Sequence, residues 1–286
     1  MRPWHEKRNY ESGLALQAFP VRNLEFLAHW HSDVELLYVC SGSVVAAVNQ
    51  EKRALAKGDL LVCASRDIHY YERTEQGSET ILVILKPELV TRSPEWPAKG
   101  ALAANFATLS ERRELAAKAG SLMRGMLEEM RGKRQSYEGI AAGMAMELCA
   151  LAERELGLCD AQKKARSEAP ELERMQLAID YLYDHSAYPI GLEDAARAAS
   201  LSPSYFSRVF SKTVGASFRS FLNGIRLERA VELMSGTDAR LADIALECGF
   251  ESVRSFNRSF QALRGTTPSE LRLEQARAHS PEGRGL

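Results

Sequence analysis

The chain has 286 residues, 45% hydrophobic and 26% charged, with a formal net charge of −1 at pH 7. This length exceeds one typical domain, and the composition is that of an ordinary globular protein, without the charge excess of a disordered tail or a uniformly basic nucleic-acid coat. It contains no run of about 18 apolar residues able to cross a bilayer, and Met1 to Asn9 mix charges with Trp4 instead of forming a signal peptide, so a cytoplasmic protein without a membrane partner is expected.

From about Leu24 to Lys86 the chain reads as short β-segments, Glu35–Cys40, Val44–Asn49, Gly58–Ala64 and Glu79–Lys86. Each is rich in Val, Leu, Ile or Tyr and bounded by Gly, Ser or Asn, the pattern of a sandwich or small barrel, here assigned to residues 1–109. Four metal-ligand types fall in this stretch: His29-x-His31-x3-Glu35, and His69 beyond Gly58-Asp59. Residues two apart on a strand point the same way, so His29 and His31 can converge. With Glu35 and His69 they form a donor set suited to a divalent transition metal, Zn, Ni, Fe or Mn. The five cysteines, Cys40, Cys63, Cys149, Cys159 and Cys248, include no CxxC pair and read as buried free thiols.

Two helices are expected next, Ser110–Gly132 and Tyr137–Leu158, the second with Ile140, Met144, Leu148 and Leu151 at helical intervals. The pair (110–158) is read as a homodimer contact, with simple packing onto the β-domain as the alternative. Residues 159–170, CDAQKKARSEAP, are polar and aperiodic, and are taken as the interdomain linker. Beyond them the chain is expected to be helical over 171–278, with a disordered tail at 279–286.

That helical region repeats. Leu192-x-Asp194-x-Ala196 returns as Leu241-x-Asp243-x-Ala245, and Phe206-x-Arg208-x-Phe210-x4-Gly215 returns as Phe256-x-Arg258-x-Phe260-x4-Gly265. The offset grows by one residue between the two halves, as two copies of one supersecondary unit with a longer second turn would show. Each copy fits a helix-turn-helix. Leu192–Ala199 is followed by a helix capped by Ser202 with Pro203 in its first position, and Leu241–Glu247 by a helix capped at Ser252.

The apolar stripes of the second helices, Phe206, Val209 and Phe210 in one and Phe256 with Phe260 in the other, leave Ser204, Ser207, Arg208 and Ser211 on one open face. Arg254, Asn257, Arg258 and Gln261 lie on the other. Arg can bind guanine O6/N7 in a bidentate way and Asn or Gln can do the same for adenine, so these faces carry the chemistry of base readout. An ordinary solvated helix face explains either helix alone, but two copies with arginine in the same place weigh against it. A helix over Ser217–Met234 would fix the spacing of the two units, matching successive major grooves ~34 Å apart. From Pro170 onward 14 basic residues face 15 acidic ones, so DNA binding rests on where the arginines sit and not on overall charge.

The stretches LSPSYFSRVFSKTVGASFRSFLNGIRLERAVELM and LADIALECGFESVRSFNRSFQALRGTTPSELR resemble the DNA-binding domain of AraC-type transcription regulators over about Glu171 to Arg272. By that resemblance Ser204, Ser207, Arg208 and Lys212 of the first unit, and Arg254, Asn257, Arg258 and Gln261 of the second, contact double-stranded DNA. The front histidine pattern resembles the cupin barrel that commonly precedes such domains as a ligand sensor. Ala64 and Arg66 stand where cupins favour Pro and Gly, and no Asn follows His69. The resemblance implies a small effector, with a sugar as one class, contacted through Trp30, Tyr38, Tyr70 or Tyr71. It further implies no enzymatic activity, an α+β multidomain fold with an all-α C-terminal domain, and, for an activator, contact with RNA polymerase. The rival function is a metal-dependent cupin enzyme built on His29, His31, Glu35 and His69, for which paired helix-turn-helix units have no use.

Overall fold

A computed structural model of the chain describes residues 14–90, 96 and 101–279, with only the backbone described over 161–169 and 274–279. The N-terminal residues read for a targeting signal and the tail 280–286 lie outside the described residues. The chain divides into two compact units, one ending at Gln176 and one beginning at Leu177.

The first unit is built on six strands in succession: β1 (Leu16–Arg22), β2 (Phe26–His29), β3 (Val34–Val48), β4 (Glu51–Ala56), β5 (Leu60–Cys63) and β6 (His69–Leu85). Short strands β7 (Ala101–Leu102), β8 (Phe106–Ala107) and β9 (Leu158–Cys159) complete it. A seven-stranded sheet runs β1-β6-β3-β5-β8, with β2 on β6 and β4 on β3, while β7 and β9 pair separately. The segments expected as Glu35–Cys40 and Val44–Asn49 are one long strand. The Ser-Gly-Ser read as a turn is instead a bend within β3, where the register with β6 slips between Val39 and Ser41 and again between Gly42 and Val44.

The inward-facing alternation of β3 changes phase at that bend. Before it, Leu37 and Val39 belong to the inner apolar cluster; after it, Val44, Ala46 and Val48 do, and all five join Leu55, Leu61, Cys63, Tyr71 and Phe106 in one core. Bulging changes which alternate residues face inward. Gly42 is required at the bend: it has φ +69°, and a Cβ there would lie 2.1 Å from the Gly77 carbonyl oxygen. The other face, with Val34, Leu36, Tyr38, Leu60, Val62 and Val83, packs against α1 (Arg113–Gly132) and α2 (Tyr137–Leu156).

Helix α2 buries Ala141, Ala145, Leu148, Cys149, Ala152 and Leu156. This face is rotated from the expected stripe, and Ile140 is left 44% exposed. Small alanines allow close approach to α1, and close approach decides the face over side-chain size.

The expected linker at 159–170 is corrected. Helix α3 runs from Ala161 to His185, through Pro170, and the division between units falls after Gln176. The segment lacks hydrophobic periodicity, yet its Ala, Gln, Lys, Arg and Glu are strong helix formers, and propensity alone carries the helix where no core-facing stripe is needed.

The second unit contains α4 (Leu192–Ala198), α5 (Pro203–Val214), α6 (Phe218–Gly236), α7 (Leu241–Glu247), α8 (Val253–Arg264) and α9 (Pro268–His279). Its repeat extends to hydrogen bonds. Leu201 N–H donates to Ala196 O and Phe250 N–H to Ala245 O; Phe206 N–H donates to Ser202 O and Phe256 N–H to Ser252 O; Gly215 N–H donates to Ser211 O and Gly265 N–H to Gln261 O. The additional residue of the second copy is Glu251, between the Phe250 turn and the Ser252 cap. Each copy has its own aromatic core, with Phe206 and Phe210 centroids 5.0 Å apart and Phe256 and Phe260 5.6 Å apart.

Candidate functional site

The first unit brings His29, His31, Glu35 and His69 together: one potential ligand atom from each lies within 4.8 Å of the others. Strand pairing explains this. His29 ends β2 and pairs with His69 at the start of β6, while Glu35 lies on the inner face of β3, in phase with Leu37. All four side chains are buried.

Each imidazole is held by its Nδ1 to a main-chain carbonyl two residues away: His29 to Leu27 O at 2.9 Å, His31 to Asp33 O at 3.0 Å and His69 to Asp67 O at 2.9 Å. These bonds place the proton on Nδ1 and aim each Nε2 lone pair inward, the anchoring that orients metal-ligating histidines. His31 Nε2 lies 3.2 Å from Glu35 Oε2, and His69 Nε2 lies 3.5 Å from Glu35 Oε1. With neutral imidazoles the interior is a set of acceptors facing a carboxylate. His69 Nε2, fully buried, has no hydrogen-bond partner among the described residues. A positive charge, proton or metal, is what this donor set lacks.

The titrations agree with that shortage. Burial, reinforced by the His69 charge, pushes the His29 pKa well below its ordinary value. Burial also opposes ionisation of Glu35, but the charge of His69 and the close approach of His31 hold its carboxyl well below the usual carboxylate range. His69 loses by burial and gains more from Glu35, so its pKa is raised.

Of the four aromatics expected at the effector contact, only Tyr71 reaches the cluster, its hydroxyl donating to Glu35 Oε1 at 2.5 Å. Tyr38 lies on the opposite face of β3 and donates to Ala116 O of α1 at 2.9 Å. Tyr70, out of phase with His69 and Tyr71, has Lys52 Nζ 5.8 Å from its ring centroid. Trp30 has the Arg66 guanidinium 5.2 Å from its ring centroid. Sequence reasoning missed the role of Tyr71 in fixing Glu35, although its two-residue spacing from His69 was a signal.

It also missed how the departures at Ala64 and Arg66 are accommodated. The Asp67 carboxylate accepts from Ala64 N at 2.9 Å, Asn49 Nδ2 at 2.9 Å and Asn105 Nδ2 at 3.0 Å, so Asp67 holds the turn that presents His69.

In the second unit, Ser204, Arg208 and Lys212 are exposed and Ser207 is half-buried on α5, while Arg254, Asn257, Arg258 and Gln261 are all exposed on α8. The helices bury the predicted phenylalanines and turn these side chains outward. Arg208 stacks over Tyr205, 5.2 Å from its ring centroid. Among the described residues nothing forms an ion pair with Arg254 or Arg258, so both guanidiniums are available to an incoming group.

A family model described as a helix-turn-helix domain matches residues 195–274, and one described as an AraC-like ligand binding domain matches residues 12–148. The chain is 32% identical to the regulatory protein PocR of Salmonella typhimurium over 43% of this chain and 41% of that protein. It is 36% identical to the uncharacterized HTH-type transcriptional regulator YijO of Escherichia coli, over 33% of this chain and 34% of that protein. It thus matches less than half the length of these relatives. Among solved structures, ToxT from Vibrio cholerae aligns with a TM-score of 0.47 and 11% identity over 91% of this chain and 97% of that one. The DNA-binding domain of AdpA in complex with a target DNA aligns with a TM-score of 0.36 and 24% identity over 38% of this chain and 98% of that one.

Proposed function

The chain belongs to the AraC family of transcription regulators, with a ligand-binding domain ahead of a helix-turn-helix domain, and from that premise we propose that it binds specific double-stranded DNA and activates transcription in response to a small effector. The observation that carries the DNA reading is the exposed Arg254–Asn257–Arg258–Gln261 face, repeated in position by Arg208 on α5 and free of internal ion pairs among the described residues. Activation in the cytoplasm through RNA polymerase, and a homodimer joined through the first unit, complete the reading. The barrel serves sensing and not turnover.

The residues of the first unit fit a divalent transition metal, Zn, Ni, Fe or Mn. His29, His31, Glu35 and His69 would hold it through nitrogen and oxygen donors already turned inward, and the unpartnered His69 Nε2 supports the fit. The cation would balance the Glu35 charge and offer an oxygen-bearing effector, a sugar among the classes, a Lewis-acidic anchor. Tyr71 keeps Glu35 in place for either occupant.

The test starts with DNA duplexes enriched by the full chain from a random pool. Their affinity is then measured with metals and metabolites added. Enrichment of a defined sequence whose affinity shifts with one addition is expected; recovery of no common sequence would defeat the proposal. Elemental analysis of protein purified without a His-tag, beside His31→Ala, reads the metal. Near-stoichiometric metal lost in the variant is expected, and substoichiometric metal in both would leave the cluster to an organic effector.

A further inference from the structure

Arg226 on α6 is a charged residue buried to 8% exposure. Its Nε donates to Ser186 O at 2.7 Å and its Nη2 to Tyr188 O at 2.9 Å, two carbonyls of the segment between α3 and the first helix-turn-helix. Its guanidinium also lies 5.9 Å from the centroid of the Phe250 ring, in the turn of the second helix-turn-helix. A leucine or methionine would fill such a site without desolvating a charge. What an arginine adds is a planar fork that binds two acceptors at fixed angles.

A second observation falls on the same peptide. Gly249, in the second turn, has φ +88°, and a Cβ there would lie 2.5 Å from Ser186 O and 2.9 Å from Ala187 O. The corresponding residue of the first copy is Ser200, also left-handed at φ +54° but exposed. The repeat tolerates a side chain in this turn where the turn faces solvent, and needs glycine where it rests on backbone 186–187. The same connecting helix reaches the second recognition helix, Asn223 Nδ2 donating to Ser259 Oγ of α8 at 3.2 Å.

Resting on the DNA-binding reading above, we infer that Arg226 and Gly249 form a junction that locks the two helix-turn-helix units together and so sets the spacing at which two half-sites on DNA are read. Arg226 is a positioning residue: it touches no base, and acts through where α5 and α8 sit. Two chain segments, α6 through Arg226 and the second turn through Gly249, converge on residues 186–188, so loosening either frees the second unit to shift against the first.

The experiment takes the duplex enriched by the full wild-type chain and inserts or deletes one base pair between its two recognised segments. One base pair turns the half-sites by about 34° and moves them by about 3.4 Å. Wild-type protein is expected to lose about tenfold or more in affinity on either change, comparable to a mismatched base pair. Arg226→Gln and Gly249→Ala are expected to bind the original duplex less well and to lose about threefold or less on respacing, a flattened profile. A residue that merely supports folding would lower affinity for all spacings by one factor, so variants retaining the steep wild-type profile overturn the inference. Wild-type tolerance of both respaced duplexes overturns it as well, whatever the variants do. Arg226→Lys, which keeps the charge but cannot fork, replaces Arg226→Gln if the latter loses its cooperative melting transition. Failure of the wild-type chain to enrich any sequence counts instead against the regulator reading.

Discussion

Arg258 stands in the same place on α8 as Arg208 on α5, and both are exposed. Arg258→Ala is expected to cost about 1–3 kcal/mol of specific binding and to relax preference at one base position. Competition titrations with specific and random duplexes check it, and an equal loss on both would make Arg258 a phosphate contact.

The histidine cluster makes a prediction of opposite slopes. Without metal, the lowered pKa of His29 means the unfolded chain takes up its proton first as pH falls below 6.5, so stability declines on the acid side. The raised pKa of His69 means the folded chain holds its proton longer above 6.5, so that contribution is lost as pH rises through the folded value. The metal-free contribution of these two groups therefore peaks near the ordinary imidazole value. A bound metal takes the place of that proton: the alkaline decline should vanish, and affinity should fall below about pH 6 as the imidazoles protonate. Thermal melts across pH with chelator and with added zinc distinguish the two, and parallel curves would remove the metal from the cluster.

At the scale of elements, the two recognition helices start differently. Ser252 Oγ accepts from Ser255 N at 3.2 Å, closing a reciprocal cap on α8. Ser202, in the equivalent place before α5, makes no side-chain cap bond and relies on Pro203 in the first turn. Ser252→Ala should thus cost about 1 kcal/mol and Ser202→Ala clearly less, measured by denaturant unfolding. Equal costs would show that the Ser252 bond contributes nothing. The repeat made both caps visible in the sequence, but only the backbone geometry separates them. Helix α3 carries a similar lesson. Its polar first half has none of the apolar periodicity that marks a packed helix, and a proline ordinarily ends one, yet strong helix formers carry the helix through Pro170.

For the whole molecule, α2 leaves Ile140 44% exposed at its N-terminal end while Ala141 and Ala145 face α1. A homodimer through this helix pair would cover it. Sedimentation equilibrium of the full chain is expected to give a dimer that Ile140→Glu weakens by about tenfold or more, a charge being costly to bury. A wild-type monomer at high micromolar concentration would refute this.

The sequence by itself determined the helical unit nearly to the residue. Its contacts are local and duplicated, so the spacing of Phe206, Phe210, Phe256 and Phe260 states which faces are buried and, by remainder, which arginines are exposed. It also named the four members of the histidine cluster, because a two-residue spacing on a strand carries direction. Tertiary structure alone decided which residues complete that cluster. His29 meets His69 across the β2–β6 pairing, and Glu35 meets Tyr71 because β3 bends at Gly42 and carries both inner faces around one interior. Such pairings join residues 36 to 40 positions apart, and a strand's alternation says which side a residue takes without saying what it will meet there. For the same reason Tyr38 and Tyr70, alike in composition to Tyr71, face other neighbours: one place along a strand, a shift no composition records, reverses the face.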